Sequence, residues 1–180
     1  MMDLILVKPS QEYAGQVMQY NKEMIAGKSG LNGCTGLEEA DFGEEWIDPE
    51  PWRMEENGGE HVRTEEYLAV RTEDDKVVGI IEYRHPLSPF LMKYCGNIGY
   101  SVRPSERRKG YAAEMLRLLL KICRERGEEK ILITCEKDNE ASCRIIGKNG
   151  GILESEIEDD AGLGECGIIR RYRIDQGTAP

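Results

Sequence analysis

The stretch Val102-Arg103-Pro104-Ser105-Glu106-Arg107-Arg108-Lys109-Gly110-Tyr111-Ala112 decides how this chain is read. It joins an apolar, strand-like run to an amphipathic helical pattern. The joint carries three consecutive cations, then a glycine and small residues. The first N–H groups of a helix have no intrahelical partners and point outward at the positive end of the dipole. An anion seated there satisfies them. Gly110 has no Cβ, so the backbone can approach such an anion closely, and Ala112 keeps the next turn lean. Cations at a helix start oppose the dipole unless an anion compensates, and a local conflict of this kind marks a functional site. A pyrophosphate is the anion that fits.

Working outward, Asn97–Val102 reads as the strand before the joint and Arg108–Arg126 as the helix after it. Ala112, Leu116, Leu119, Leu120 and Cys123 form its apolar stripe, and Gly127 ends it. Lys130–Cys135 is a buried-type strand, Asn139–Lys148 a short helix, and Ile152–Ile157 and Gly167–Ile174 are closing strands. Upstream, Leu4–Lys8 is a first strand. A helix with Ser10 as its cap follows, and Gly27–Gly36 is a loop. Glu38–Glu56 is expected to hold one short helix and an irregular segment. Glu66–Thr72 and Lys76–Tyr83 form a hairpin around Glu73-Asp74-Asp75. His85–Pro89 is a loop. The order β-α-α-β-β-β-α-β-α-β-β predicts an α/β fold of the α+β kind, a mixed sheet with helices on both faces. One domain over residues 1–175 is expected, with a frayed tail at 176–180.

Thirty-four acidic against 24 basic residues give a net charge of −10. This argues against a nucleic-acid or anionic-membrane partner. No apolar run approaches a membrane span, and the amino terminus lacks a leader pattern. The six scattered cysteines form no Cys-x-x-Cys pair and, with His61 and His85, no metal spacing. Reduced thiols and a cytoplasmic location follow from that pattern. Three motif matches are refused. Gly162–Gly167 is a literal Gly-x-Gly-x-x-Gly but precedes a strand, not a helix. Gly27-Lys28-Ser29 lacks the first P-loop glycine. Gly147–Gly150 copies an RNA-binding Gly-x-x-Gly, yet a strand and an acidic stretch follow it.

Arg107-x-x-Gly110-x-Ala112, with Val102-Arg103-Pro104 before it, resembles the signature of the GNAT superfamily of N-acetyltransferases, bacterial members in particular. Asp138-Asn139-Glu140-Ala141-Ser142 after the strand 131–135 is similar to that family's second conserved region, and the element order matches over nearly the whole chain. The resemblance implies acetyl-CoA as co-substrate and no metal. It implies that Arg107, Arg108, Lys109, Gly110, Tyr111 and Ala112 surround the pyrophosphate, and that backbone near Ser101 and Val102 meets the thioester carbonyl. Asn139, helped by Ser142, would reach the pantetheine arm. It implies direct acetyl transfer in a ternary complex to a small-molecule or peptide amine, cationic by preference given the acidic Glu38–Glu56 segment. A homodimer is open. Glu82 and His85 are the base candidates. The tyrosine acid usual seven positions after the Asn is Ile146 here, which leaves Tyr111 and Tyr172 as substitutes. A non-catalytic acyl-CoA-binding or sensing module is the alternative.

Overall fold

Two antiparallel sheets share one helix. The computed structural model describes residues 3–34, 36–37, 47, 53–57 and 60–177. The elements are β1 (Leu4–Val7), α1 (Ala14–Ala26), β2 (Arg53–Asn57), β3 (Glu60–Arg71) and β4 (Lys76–Arg84). They continue with α2 (Pro89–Tyr94), β5 (Ile98–Val102), α3 (Tyr111–Glu125), β6 (Lys130–Glu136), α4 (Glu140–Lys148), β7 (Ile152–Glu158) and β8 (Ile168–Asp175). The first sheet runs β1-β3-β4-β5, with β2 pairing the other half of long β3; the second runs β6-β8-β7. Every strand ladder is antiparallel. The expected α+β class therefore holds, while among the described residues the ladders are antiparallel rather than mixed. A β5-α3-β6 crossover normally delivers parallel neighbours, but here β5 and β6 form no ladder with each other.

Alternation along the strands decides what each face buries. Leu68, Val70, Val77 and Ile80 pack against Val17, Tyr20 and Met24 of α1. On the other face, Tyr67, Ala69, Val78, Ile81 and Tyr83 pack against Met115, Leu116, Leu119 and Cys123 of α3. The same cluster takes in Ile131 and Ile133 of β6, Ile146 of α4, and Tyr172 and Ile174 of β8. Thus α3 holds the two sheets together.

Other expectations shift by residues. Helix α3 begins at Tyr111 rather than Arg108, because Gly110 takes φ +88° as its N-cap. Ser10 makes no cap bond, and a 3₁₀ turn at Gln11–Tyr13 leads into α1 instead. Helix α2 was not expected; Ser88 caps it by accepting from the Leu91 N–H at 3.2 Å, with proline at the next position. The second part of Glu38–Glu56 contains the start of a strand, since 53–57 pairs with 60–64. Residues 38–46 and 48–52, the rest of the segment in which a short helix was also expected, lie outside the described residues. Gln176, assigned to the frayed tail, is buried and donates from its backbone N–H to the Glu129 carbonyl at 2.8 Å. Residues 178–180 lie outside the described residues.

Candidate active site

The anion loop is shaped from below. Pro104–Glu106 forms a 3₁₀ turn, Arg107 is extended, and Arg108 (φ +61°) and Gly110 (φ +88°) are left-handed. Left-handed residues in a turn that leads into a helix are the winding from which backbone anion-binding concavities are made. The Arg107 guanidinium does not point there. Its Nε donates to the Val102 carbonyl at 2.9 Å, closing the loop on the strand that precedes it. Arg103 donates to a Glu23 carboxylate oxygen at 2.7 Å, and the other oxygen accepts from the Ser105 N–H at 2.6 Å, so α1 grips the loop as well.

Buried Glu106 holds the loop's underside. It accepts from Lys109 at 2.7 Å, Lys76 at 2.6 Å and Arg71 at 2.9 Å. Burial pushes its carboxyl up, but the hydrogen bonds from Lys109, Lys76 and Arg71 outweigh that and hold it at about 2. Of the three consecutive cations, Arg107 and Lys109 are committed to the protein's own oxygens. Arg108 has no hydrogen bond or ion pair among the described residues. The dipole conflict therefore rests on Arg108, since the other two cations are neutralised or turned away.

A cleft opens where β5 and β6 part. Asn97 marks the joint: its N–H donates to the Leu132 carbonyl at 2.7 Å, and its side-chain oxygen accepts from the Leu132 N–H at 2.8 Å. Its side-chain amide also donates to the Arg84 carbonyl at 3.0 Å. Beyond that point the strands diverge around a cavity of about 1010 Å³. Residues 98–102 line one wall and 134–136 with Asn139, Ser142 and Ile145 the other; Arg107, Arg108 and Gly110–Ala113 close one end. Phase along β5 follows from two bonds, Arg103 N–H to Val78 and Arg84 N–H to Asn97. With the β4–β5 register, these make 101/80 and 99/82 hydrogen-bonded pairs. The N–H groups of Tyr100 and Val102 accordingly face the cleft, whereas that of Ser101 faces β4.

The Ser101 side chain lies on the α1 face. Its hydroxyl accepts from the Tyr20 hydroxyl at 2.8 Å and lies 3.3 Å from the Cys34 sulfur. Glu82 is on that same face, fully buried, and ion-paired with Arg84, which lines the cleft. Glu66 stands directly opposite Glu82 across the ladder. Gly99 keeps this spot open, since a Cβ there would meet Glu82 Oε1 at 3.0 Å, Arg84 Nη2 at 2.9 Å and the Gly33 nitrogen at 3.0 Å.

Catalytic candidates separate by location. His85 is three residues from Glu82, so strand alternation places it on the opposite face. It stacks on Tyr83, lies 3.8 Å from Glu128 and is absent from the cleft lining. The Tyr111 hydroxyl accepts from Arg71 at 2.9 Å beside Glu106, on the hairpin-tip side of the loop. Tyr172 is buried in the core on β8, where burial and then its contact with Cys143 push the phenol up to about 12. Ile146 is wholly buried. Asn139 caps α4, accepting from the Ser142 N–H at 3.0 Å, and both residues line the cleft.

Sequence reasoning missed Tyr100, whose hydroxyl meets the Ser142 hydroxyl at 2.6 Å across the cleft. It also missed Arg84, Asn97 and Thr134. Glu82 and Arg84 were visible as charged residues spaced two apart in one apolar strand, Glu66 as a charge in the strand before it, and Asn97 as an amide at a strand start. Nothing in the sequence joined Tyr100 to Ser142.

Residues 31–150 match the family model described as Acetyltransferase (GNAT) family. No curated protein matches. Among solved structures, RimL, titled a ribosomal-protein α-N-acetyltransferase in complex with coenzyme A bound as a cysteine disulfide, is similar at 17% identity and TM-score 0.69. The alignment covers 97% of this chain and 95% of that one. A Salmonella typhimurium acetyltransferase, titled as modifying the N-terminal serine of a 50S ribosomal subunit protein, matches at 17% and 0.69, covering 98% and 97%. A GNAT-family acetyltransferase from Bacillus anthracis matches at 20% and 0.65, covering 96% and 95%. At these identities the likeness to the solved structures is one of fold.

Proposed function

The chain belongs to the acetyltransferase (GNAT) family, and from that premise we propose that it transfers acetyl from acetyl-CoA to an amine by direct attack in a ternary complex. The observation that carries this reading is the parted β5–β6 cleft, with the anion loop at one end. The donor set fits the co-substrate. Arg108 and the outward N–H groups around Gly110 suit a pyrophosphate. Among the described residues the Tyr100 and Val102 N–H groups form an unpaired strand edge, to which an amide-bearing arm can add in the manner of another strand. Asn139 and Ser142 offer polar contacts on the facing wall.

Acetyl-CoA supplies an activated acetyl thioester. The protein's part is to take one proton, steady an oxygen and return one proton. Glu82, fully buried behind Arg84 and itself outside the cleft lining, is the candidate base through water. Glu66 stands directly opposite Glu82, and the Arg84 guanidinium that pairs with Glu82 is the part of this charged cluster that lines the cleft. The cleft-facing N–H of Val102 or Tyr100 steadies the carbonyl oxygen. Tyr100 replaces Tyr111 and Tyr172 as candidate acid. Burial raises its phenol, keeping it protonated, and its hydroxyl sits inside the cleft.

A peptide α-amine is the first acceptor class to try, because two of the similar structures are of enzymes described as acetylating a ribosomal protein at its amino terminus. A cytoplasmic location belongs to the same proposal. All six cysteines are free thiols. Among the described residues no helix is long and apolar enough to cross a membrane. The experiment is a thiol-release assay with acetyl-CoA and a panel of peptides and polyamines, run beside calorimetry. Amine-dependent coenzyme A release supports the transferase. Tight acetyl-CoA binding with no turnover on any amine would favour the non-catalytic module.

A further inference from the structure

The transfer chemistry leaves Cys135 and Cys143 unused. Cys135 sits near the end of β6 and lines the cleft, while Cys143 lies in α4. Both are half-buried free thiols, and their sulfurs are 3.5 Å apart. Arg170 of β8 places Nη1 3.6 Å from the Cys143 sulfur. A cation beside a sulfur stabilises its thiolate, the form that reacts. Burial pushes the Cys143 thiol up, but hydrogen bonds from Tyr172, Arg170 and Cys135 outweigh this and leave it below the ordinary value. Cys135, more enclosed, is pushed up to about 12. One sulfur is thus set to attack and its neighbour to resolve. Cys34 and Cys123 show the contrast: both are buried, and burial pushes both thiols up.

We propose that Cys135 and Cys143 form a reversible oxidation site, in which Cys143 reacts with hydrogen peroxide and Cys135 closes a disulfide in the cleft wall. In the first step the Cys143 thiolate attacks a peroxide oxygen. The O–O bond breaks, a sulfenic acid forms on Cys143, and the other oxygen leaves as water after taking a proton. In the second step the Cys135 sulfur attacks the sulfenic sulfur, the S–O bond breaks, and a second water leaves with the Cys135 proton. Two thiols are oxidised and one peroxide is reduced. A disulfide holds its sulfurs about 2.05 Å apart, so these two must close by about 1.5 Å. The bridge would pin α4, which carries Ser142 and is capped by Asn139, to the end of β6. The oxidation itself does not depend on the acetyl-transfer reading.

The test uses the reduced full chain without co-substrate, treated with an equivalent of hydrogen peroxide, alkylated, digested and read by mass spectrometry. The expected product is a cross-linked Cys135–Cys143 peptide pair that dithiothreitol separates. C135S should hold a dimedone-reactive sulfenic acid on Cys143, and C143S should give neither cross-link nor sulfenic acid on Cys135. Cys95 and Cys166, also half-buried, serve as internal controls. The proposal fails if Cys135 and Cys143 remain thiols while Cys95 or Cys166 oxidises. It fails equally if Cys143 advances to sulfinic acid without a cross-link, or if C143S carries the sulfenic acid on Cys135.

Discussion

Single residues in this protein take their roles from what they are bonded to, and Glu106 shows it best. Its carboxylate gathers Arg71, Lys76 and Lys109 behind the anion loop, leaving Arg108 to face outward. Its folded-state value of about 2 lies below the ordinary 4.5. The unfolded chain therefore binds this proton more readily. The stabilisation is present in full above about pH 4.5 and is lost as pH falls through about 2. Chemical denaturation of wild type and Glu106→Gln across this range should show a gap that narrows toward low pH; a constant gap would contradict the assignment. Gly110→Asp should abolish acetyl-CoA binding, because a side chain and a negative charge would enter a left-handed position beside the anion. Calorimetry on the folded variant checks it, and undiminished affinity would move the site elsewhere. Tyr100→Phe should lower turnover about a hundredfold, the usual scale for a positioned acid. Tyr111→Phe and Tyr172→Phe should cost far less, and a reversed ranking would return the acid to one of them.

At the scale of elements, helices α1, α3 and α4 and the central strands were legible because their apolar spacing is strong, whereas the short α2 was not. Helix α3 buries Met115, Leu116, Leu119, Leu120 and Cys123 at a near-helical period, and β4 is buried along almost its whole length. The loop 102–112 was legible as an anion seat because glycine and cations at a strand–helix joint have few other uses. Two things could not be read. Strand β2 carries the sequence Arg-Met-Glu-Glu-Asn, with no apolar alternation to announce it, although Gly58-Gly59 is a hairpin signal in the sequence. The parting of β5 from β6 depends on Asn97, whose bonds reach Leu132 and Arg84 through space rather than along the chain. The side chains of Arg107 and Lys109 were likewise read as facing the anion, because no sequence pattern shows that Val102 and Glu106 claim them. Asn97→Ala should test the joint. It leaves the Leu132 N–H and the Arg84 carbonyl without their side-chain partners, a loss on the order of 2–4 kcal/mol. Urea unfolding should show that drop, and acetyl-CoA affinity should fall with it as the cleft loses its fixed origin. Unchanged stability would mean that packing by α3 alone sets the separation of the strands.

For the whole molecule, the important feature is that one core serves two sheets and leaves a gap between them. Buried residues of α3, β4, β6 and β8 form one contiguous cluster, so the sheets cannot unfold independently without exposing that core. A ligand that fills the cleft touches β5, β6, α3 and α4 at once. Its binding energy should therefore appear as stability of the entire fold rather than of one loop. A ligand at about 100 times its dissociation constant adds about 2.7 kcal/mol. For a chain of this length that corresponds to a melting shift of about 5–10 °C. Acetyl-CoA and coenzyme A should both produce it, since the anion loop and the β5 edge meet parts common to both. Dephosphorylated pantetheine should produce little, because it lacks the pyrophosphate. The shift should shrink at high salt, as the half of the contact that depends on exposed Arg108 is screened, and it should vanish in Gly110→Asp. A single cooperative transition displaced upward by both CoA forms fits this architecture. No displacement with any CoA ester would refute the cleft as their site, and a split transition would show that the two sheets are not one cooperative unit.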